Sequence, residues 1–392
     1  MNNNFNYDLE TKLVHGGHKA DPATGALATP IYQTATFAAK TVEHFEELCQ
    51  TWGYVYTREC NPNLSELETK LSILEGGENA IVSTSGMGAI ASTVLALVKS
   101  GDHVVCSDGV FSHTKILMGE LLTKFGVEVT FVDAVDPENV KKELKENTKF
   151  VYIESPLNPT LDLVDIKTIS EIAHANKSLV IVDSTFGTPI IQQPIGLGAD
   201  LVIHSLTKFM NGHGDALGGA VIGSKELIEL VRWPSLCCFT GASLPPMNAW
   251  LITRGIKTLD MRMKRHCDSA LQIATFLEGQ DCVEVVKYPA LKSHPQHELC
   301  KSQMNGLGGG IVSFKLKDGI NGLTRDEASR KLMNSLELVT IATSLGEEHT
   351  LVQMNGENLI RIAVGLESAQ DIINDFIPVS YTHLTLPTTI LV

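Results

Sequence analysis

The chain has 392 residues, 43% hydrophobic and 19% charged, a balance that suits a soluble globular protein with a large core. Its formal net charge of −14 argues against nucleic acid as a main partner, and no apolar stretch reaches the roughly 18 residues needed to span a bilayer. Eight cysteines without a CxxC pair, and a start, "MNNNFNYDLE", lacking a basic and apolar signal, give the expectation of a reduced, cytoplasmic protein.

Residues 1–60, rich in Thr, Gly and aromatics, read as an extended N-terminal arm. From residue 61 short β-branched runs alternate with helical patterns. "LSELETKLSILEGG" predicts a helix with apolar spacing at Leu64, Leu67, Leu71 and Leu74, stopped by Gly76. "NAIVSTS", "DHVVCSD", "VEVTFVD", "TKFVYIESP", "SLVIVDST" and "DLVIHS" follow as strands. Helices are predicted between them at "GMGAIASTVLALVKSG", "HTKILMGELLTKFG", "PENVKKELKEN" and "DIKTISEIAHANK". Near-continuous apolar strands separated by helices mean a largely parallel sheet covered on both faces, a large α/β domain over 61–258. From 259 the pattern becomes a long helix, "LDMRMKRHCDSALQIATFLEG", then the strands "CVEVVKYP" and "GGIVSFKLK", a smaller α+β domain over 259–377. A last amphipathic helix, "SAQDIINDFI", stops at Pro378. The nearly uncharged "PVSYTHLTLPTTILV", 378–392, reads as a non-native tail translated from a sequencing adapter, and no function is given to it.

Polar residues collect at the C-terminal ends of four strands, where ligands gather in an open parallel sheet. "SGMG" (Ser85 to Gly88) follows one strand and opens a helix, so its free N–H groups and the helix dipole favour a phosphate. Asn158 follows "VYIESPLN", Asp183 ends "LVIVD", and Ser205, Thr207 and Lys208 follow "DLVIH". "GMGAIA" also fits a dinucleotide fingerprint, with Asp108 near the expected distance, but that reading leaves Lys208 and Asp183 without a role. Pyridoxal 5'-phosphate uses all of them. Its aldehyde takes a lysine amine as a Schiff base, and its pyridine nitrogen needs a carboxylate to stay protonated. Lys208 and Asp183 fit these tasks, with Ser205, Thr207 and the Gly86–Met87 amides around the phosphate. Taken singly, a strand-end Asp is a helix cap and a lone Lys a solvated charge; their coincidence on one sheet edge points elsewhere.

The stretches "ATPIYQTATF", "YTRECNP", "SGMGAI", "ESPLNPT", "VDSTFGTP", "HSLTKFMNGHGD", "RGIKTLDMRMKRH", "SLGEEHTL" and "LIRIAVGLE", in this order, resemble the pyridoxal-phosphate enzymes of cysteine and methionine metabolism, the transsulfuration family. The resemblance runs to about residue 377. It implies the fold of the aspartate aminotransferase-like, type I pyridoxal-phosphate-dependent transferases. It also implies Lys208 as Schiff-base lysine and proton shuttle, Asp183 as pyridinium partner, and Asn158 as a ring or substrate contact. Arg361 and Ser344 match residues that bind the substrate's α-carboxylate. Tyr56 and Arg58 match a pair that reaches the phosphate of a neighbouring subunit, which implies a homodimer, usually doubled to a tetramer. The activity implied is carbon–sulfur cleavage of a sulfur amino acid, methionine first. Replacement on O-acetylhomoserine, or making or cleaving cystathionine, are the alternatives. A cofactor-binding homologue of weakened activity is the non-enzyme alternative.

Departures from the family pattern sharpen these expectations. Thr343 stands before Ser344, where cystathionine-handling members have a glutamate, and so leans toward an uncharged substrate side chain. "FSHT" replaces a tyrosine-bearing motif: Phe111 can stack on the cofactor but has no phenol to protonate a departing thiolate. His113 is the candidate acid in its place. Cys237 and Cys238 occupy positions where methionine-cleaving members carry a Lys-Asp pair. The stretch between Ser344 and Arg361 is short, which bears on how Arg361 is seated.

Overall fold

The computed structural model describes residues 7–378, apart from the side chain of Pro378; most of the tail read as non-native therefore lies outside the described residues. Residues 7–60 are not wholly irregular. They carry the helices α1 (Leu9–His15) and α2 (Val42–Gln50), the second started by Thr41, whose hydroxyl accepts the His44 N–H. Helix α3 (Pro62–Glu75) has Asn61 as N-cap and ends at Gly76 (φ 74°), the left-handed position that glycine takes without steric cost. Its leucines at 64, 67, 71 and 74 are buried, as their spacing predicts.

Seven strands form the large sheet: β1 (Asn79–Ser83), β2 (His103–Ser107), β3 (Glu128–Val132), β4 (Thr148–Glu154), β5 (Leu179–Asp183), β6 (Leu201–Ser205) and β7 (Gly219–Gly223), in the order β1-β7-β6-β5-β4-β2-β3. β6, β5, β4, β2 and β3 pair in parallel, while β7 runs antiparallel to both β1 and β6. The sequence pattern finds the parallel strands and misses β7, whose "GAVIG" is hidden among glycines. Helix α4 (Gly86–Leu97) follows β1, and its first turn faces the same edge as the ends of β4, β5 and β6. The helix predicted over "HTKILMGELLTKFG" is broken into α, π and 3-10 segments between Ser112 and Phe125.

The long helix Leu259–Glu278 leads to the second sheet, of β8 (Val283–Lys287), β9 (Ile311–Leu316), β10 (Thr340–Ile341), β11 (Leu351–Asn355) and β12 (Leu359–Ala363), in the order β10-β11-β12-β9-β8. β8 and β9 match the pattern; β10, β11 and β12 were not foreseen. The final helix, Ala369–Pro378, runs one residue into the proline expected to stop it. Among the described residues no helix is long and apolar enough to cross a membrane.

Candidate active site

Parallel strands end on one edge, so the last side chain of each is delivered to a common region. Asp183 closes β5 and is buried. Its Oδ1 accepts the Thr185 N–H (3.0 Å) and hydroxyl (2.6 Å), and Tyr152 donates to Oδ2 at 3.5 Å. Burial pushes the Asp183 acid up, while Thr185, His204 and Tyr152 oppose that shift. A carboxylate buried with hydroxyl donors but no paired cation fits a protonated ring nitrogen, whose charge would offset the cost of burial.

Beside it, β6 ends at Ser205 and the chain turns into Lys208. The Lys208 ammonium donates to Ser344 Oγ at 2.7 Å. Burial first, and then the Arg361 charge, lower its pKa, against the attraction of Glu347. Ser344 stands at φ 91°, a conformation a non-glycine residue keeps only where its surroundings impose it. Two of those surroundings are visible: Arg361 Nη2 donates to the Ser344 carbonyl at 2.9 Å, and Gly346 packs so closely on the Phe209 N–H that a Cβ there would lie 2.4 Å from it.

Arg361, on β12, is buried, with Nη1 donating to Asn158 Oδ1 (3.0 Å) and Nη2 also to Gln353 Oε1 (3.1 Å). Its Nε is buried without a partner. The short stretch after Ser344 therefore does not unseat it: β11 turns into β12 through Gly356–Asn358, and the register sets Gln353 directly opposite Arg361.

The first turn of α4 faces Ser205. Ser85 caps the helix by accepting the Gly88 N–H at 3.0 Å, and the Gly86 and Met87 N–H groups take no intrachain hydrogen bond among the described residues. Gly86 permits the approach, since a Cβ there would meet the Ser205 Cβ at 2.9 Å. Thr207 Oγ1 is bonded in both directions to Gly218, which leaves Ser205 the freer hydroxyl. Two unpaired amides, a free hydroxyl, a buried acid and a lysine of lowered pKa make a donor set that fits a phosphorylated aldehyde cofactor.

Phe111 is exposed, and its ring meets His113 edge-on at 5.0 Å between centroids. The Arg58 guanidinium sits 5.1 Å from the Tyr56 ring centroid and 3.8 Å from Glu59, and among the described residues neither Tyr56 nor Arg58 shares a hydrogen bond or ion pair with Lys208, Asp183 or Arg361. They line a cleft of about 410 Å³ with Gln33, Thr34 and Ser243, and Ser243 bridges Ser83 at the end of β1. Cys237 is buried, its thiol 3.7 Å from the Arg58 carbonyl, and Cys238 is exposed.

Four residues around the site escaped the sequence reading: Tyr152, Glu154, Thr185 and Gln353. Glu154 left a usable signal, a charged residue closing an apolar strand. Gln353 left none, because only the strand register brings it to Arg361.

Comparison with known proteins agrees with this geometry. The family described as Cys/Met metabolism PLP-dependent enzyme matches residues 10–357. An L-methionine gamma-lyase of Treponema denticola is 45% identical, over 93% of this chain and 94% of that protein. A cystathionine beta-lyase of Lactococcus lactis is 39% identical, over 94% and 97%. The crystal structure of metB from Corynebacterium glutamicum superposes with a TM-score of 0.89 at 34% identity, over 96% of this chain and 98% of that one.

Proposed function

Because this chain belongs to the Cys/Met metabolism PLP-dependent enzyme family, we propose that it cleaves L-methionine by γ-elimination, with water, to methanethiol, 2-oxobutyrate and ammonia. It is a carbon–sulfur lyase with pyridoxal 5'-phosphate as cofactor, on the aspartate aminotransferase-like fold. The observation that carries the proposal is the meeting of Lys208 and Arg361 on Ser344, at 2.7 and 2.9 Å, which sets a proton-transfer amine beside a carboxylate clamp.

When bound, the cofactor supplies an electron sink for charge developing at the substrate's Cα. The Gly86 and Met87 amides, with Ser205 and then Thr207, would hold its phosphate, and Asp183 would keep its ring nitrogen protonated. Arg361 grips the α-carboxylate by a charge-assisted fork, its unpaired Nε being the donor in reserve. Asn158 and Ser344 hold that fork in place. Lys208, whose pKa burial lowers, takes the proton from Cα and then one from Cβ. The Cβ electron pair forms the Cβ–Cγ double bond as the Cγ–S bond breaks, and the same amine returns a proton at Cγ. Phe111 would cover the cofactor ring, and His113 would give a proton to the departing thiolate. The exposed, uncharged Thr343 offers nothing to a distal ammonium, which supports methionine over cystathionine.

The second reading is chemistry on cystathionine, supported by the likeness to a cystathionine beta-lyase, or replacement on an acylated homoserine. A homologue that holds the cofactor but turns over weakly remains the third. Tyr56 and Arg58, which share no hydrogen bond or ion pair with Lys208 among the described residues of their own chain, support a dimer that shares its sites, itself paired into a tetramer. Eight free cysteines support the cytoplasmic setting.

The purified, cofactor-supplied protein is expected to show a visible absorbance band that Lys208→Ala abolishes, and to release 2-oxobutyrate from L-methionine. A folded protein with no band overturns the site. A band without oxo acid moves the proposal to replacement chemistry, tested with O-acetylhomoserine and sulfide.

A further inference from the structure

Glu154 closes β4 directly beside Asp183 in the parallel register of β4 and β5, and it is buried. Its Oε2 accepts the Phe111 N–H at 2.8 Å, and the Asn158 N–H lies near enough to favour the charged form of this carboxyl. One side chain therefore ties two loops together. The first carries Phe111 and His113. The second carries Asn158, whose Oδ1 accepts from Arg361 Nη1 at 3.0 Å. From Arg361 the chain of hydrogen bonds passes through Ser344 to the Lys208 amine.

The two loops leave different strands, β2 and β4, and each emerges on the side of the sheet where the strands end. Backbone N–H groups in such a place need acceptors, and a single carboxyl shared between them fixes their separation as well as satisfying them. Burial and the neighbouring Asp183 push the Glu154 acid well up, against the opposing pull of the Phe111 and Asn158 N–H groups. Its proposed use is geometric.

We propose that Glu154 is a positioning residue for the lyase reaction, setting the Phe111–His113 loop and the Asn158–Arg361 clamp at the separation that a substrate must bridge. The proposal rests on the cofactor and carboxylate sites described under the proposed function. A displacement of about 1 Å between binding and reacting groups costs up to about 100-fold in rate, so the loss of a shared anchor is expected to be large although the residue touches neither ligand.

The test compares Glu154→Ala, Glu154→Gln and wild type in the full-length, cofactor-loaded protein. L-norleucine, which has a methylene where methionine has sulfur and cannot eliminate a thiol, serves as the binding probe. Glu154→Ala is expected to bind L-norleucine about tenfold or more weakly, to lower kcat for L-methionine, and to change the visible circular dichroism of the bound cofactor while keeping the absorbance band. Glu154→Gln keeps a neutral acceptor of the same length and is expected to restore all three. An Ala variant equal to wild type in norleucine affinity and circular dichroism overturns the proposal, and so does a Gln variant as impaired as Ala. Should Glu154→Ala fail to fold, Glu154→Asp, which withdraws the carboxyl by one methylene, decides between the same outcomes. A wild-type protein that takes up no cofactor overturns the site reading underneath; a loaded wild type with an indifferent Glu154→Ala overturns the positioning role alone.

Discussion

His113 lies edge-on to the Phe111 ring at 5.0 Å, exposed in the short helix Ser112–Ile116. Phe111 can cover a cofactor but cannot donate a proton, so the proposed mechanism gives the task of protonating methanethiolate to the imidazole next to it. Loss of a general acid costs on the order of 10²–10⁴ in rate. His113→Gln is therefore expected to lower kcat for L-methionine about 100-fold with KM little changed, and adding Phe111→Tyr to that variant should recover at least about tenfold by returning a phenol. A His113→Gln enzyme turning over at the wild-type rate would remove the residue from the mechanism. Lys208, Asp183 and Phe111 stood out in the sequence by a charge of their own or by an absent group. Features that depend on geometry did not. Gln353 meets Arg361 only through the strand register, and the φ of 91° that Ser344 adopts leaves no mark in the sequence. Glu154 accepts from the Phe111 N–H, 43 residues away in sequence, a separation that no local pattern encodes.

Among the elements, the parallel strands were found because burial on both faces leaves an unbroken apolar run. β7 is as buried, but "GAVIG" is short and flanked by glycines that read as turns. β11 and β12 carry polar residues, Gln353 and Arg361, that the site requires, and these break the alternation expected of strands. Helix α1 was missed because it is short and buries only Leu13. What holds it is Lys70 of α3, fully buried, donating to the carbonyls of Leu13 (2.8 Å) and Val14 (3.4 Å) in the last turn of α1. That end of a helix favours a cation, yet burial lowers the amine from its ordinary 10.5 to about 8, against the pull of Glu66. Between those values the unfolded chain binds more protons than the folded one, so this group makes stability rise as pH rises through the window; below about pH 8 the cost of the buried charge is present in full. Urea melts at about pH 7.5 and about pH 10 should show a rise in wild type, relative to Lys70→Met, of up to about 3 kcal/mol. Identical pH dependence in the two proteins would mean that Lys70 titrates alike folded and unfolded.

At the scale of the whole molecule, the N-terminal segment is the part least complete in a single chain. Val42, Phe45, Trp52, Tyr54 and Tyr56 are exposed along it, and α2 buries none of its side chains. So many exposed large apolar groups on one segment mark a surface built to be covered. The composition of residues 1–60 separated this segment from the α/β pattern that follows, but its use depends on what lies opposite, which a one-chain sequence does not encode. Arg58 is bound only loosely, 3.8 Å from Glu59 and over the Tyr56 ring, and is free to serve an anion brought by another subunit. If each site takes Lys208 from one subunit and Arg58 from its partner, the two residues must complement across the interface. Arg58→Ala and Lys208→Ala homo-oligomers should each be nearly inactive. Unfolded together and refolded as a mixture, half of the dimers pair one chain of each kind, and each of these holds one intact site. About a quarter of wild-type activity should return, because a two-fold axis gives every hybrid one complete and one doubly defective site. If Arg58 served its own chain's Lys208, no hybrid would contain an intact site, and the mixture would stay as inactive as its parents.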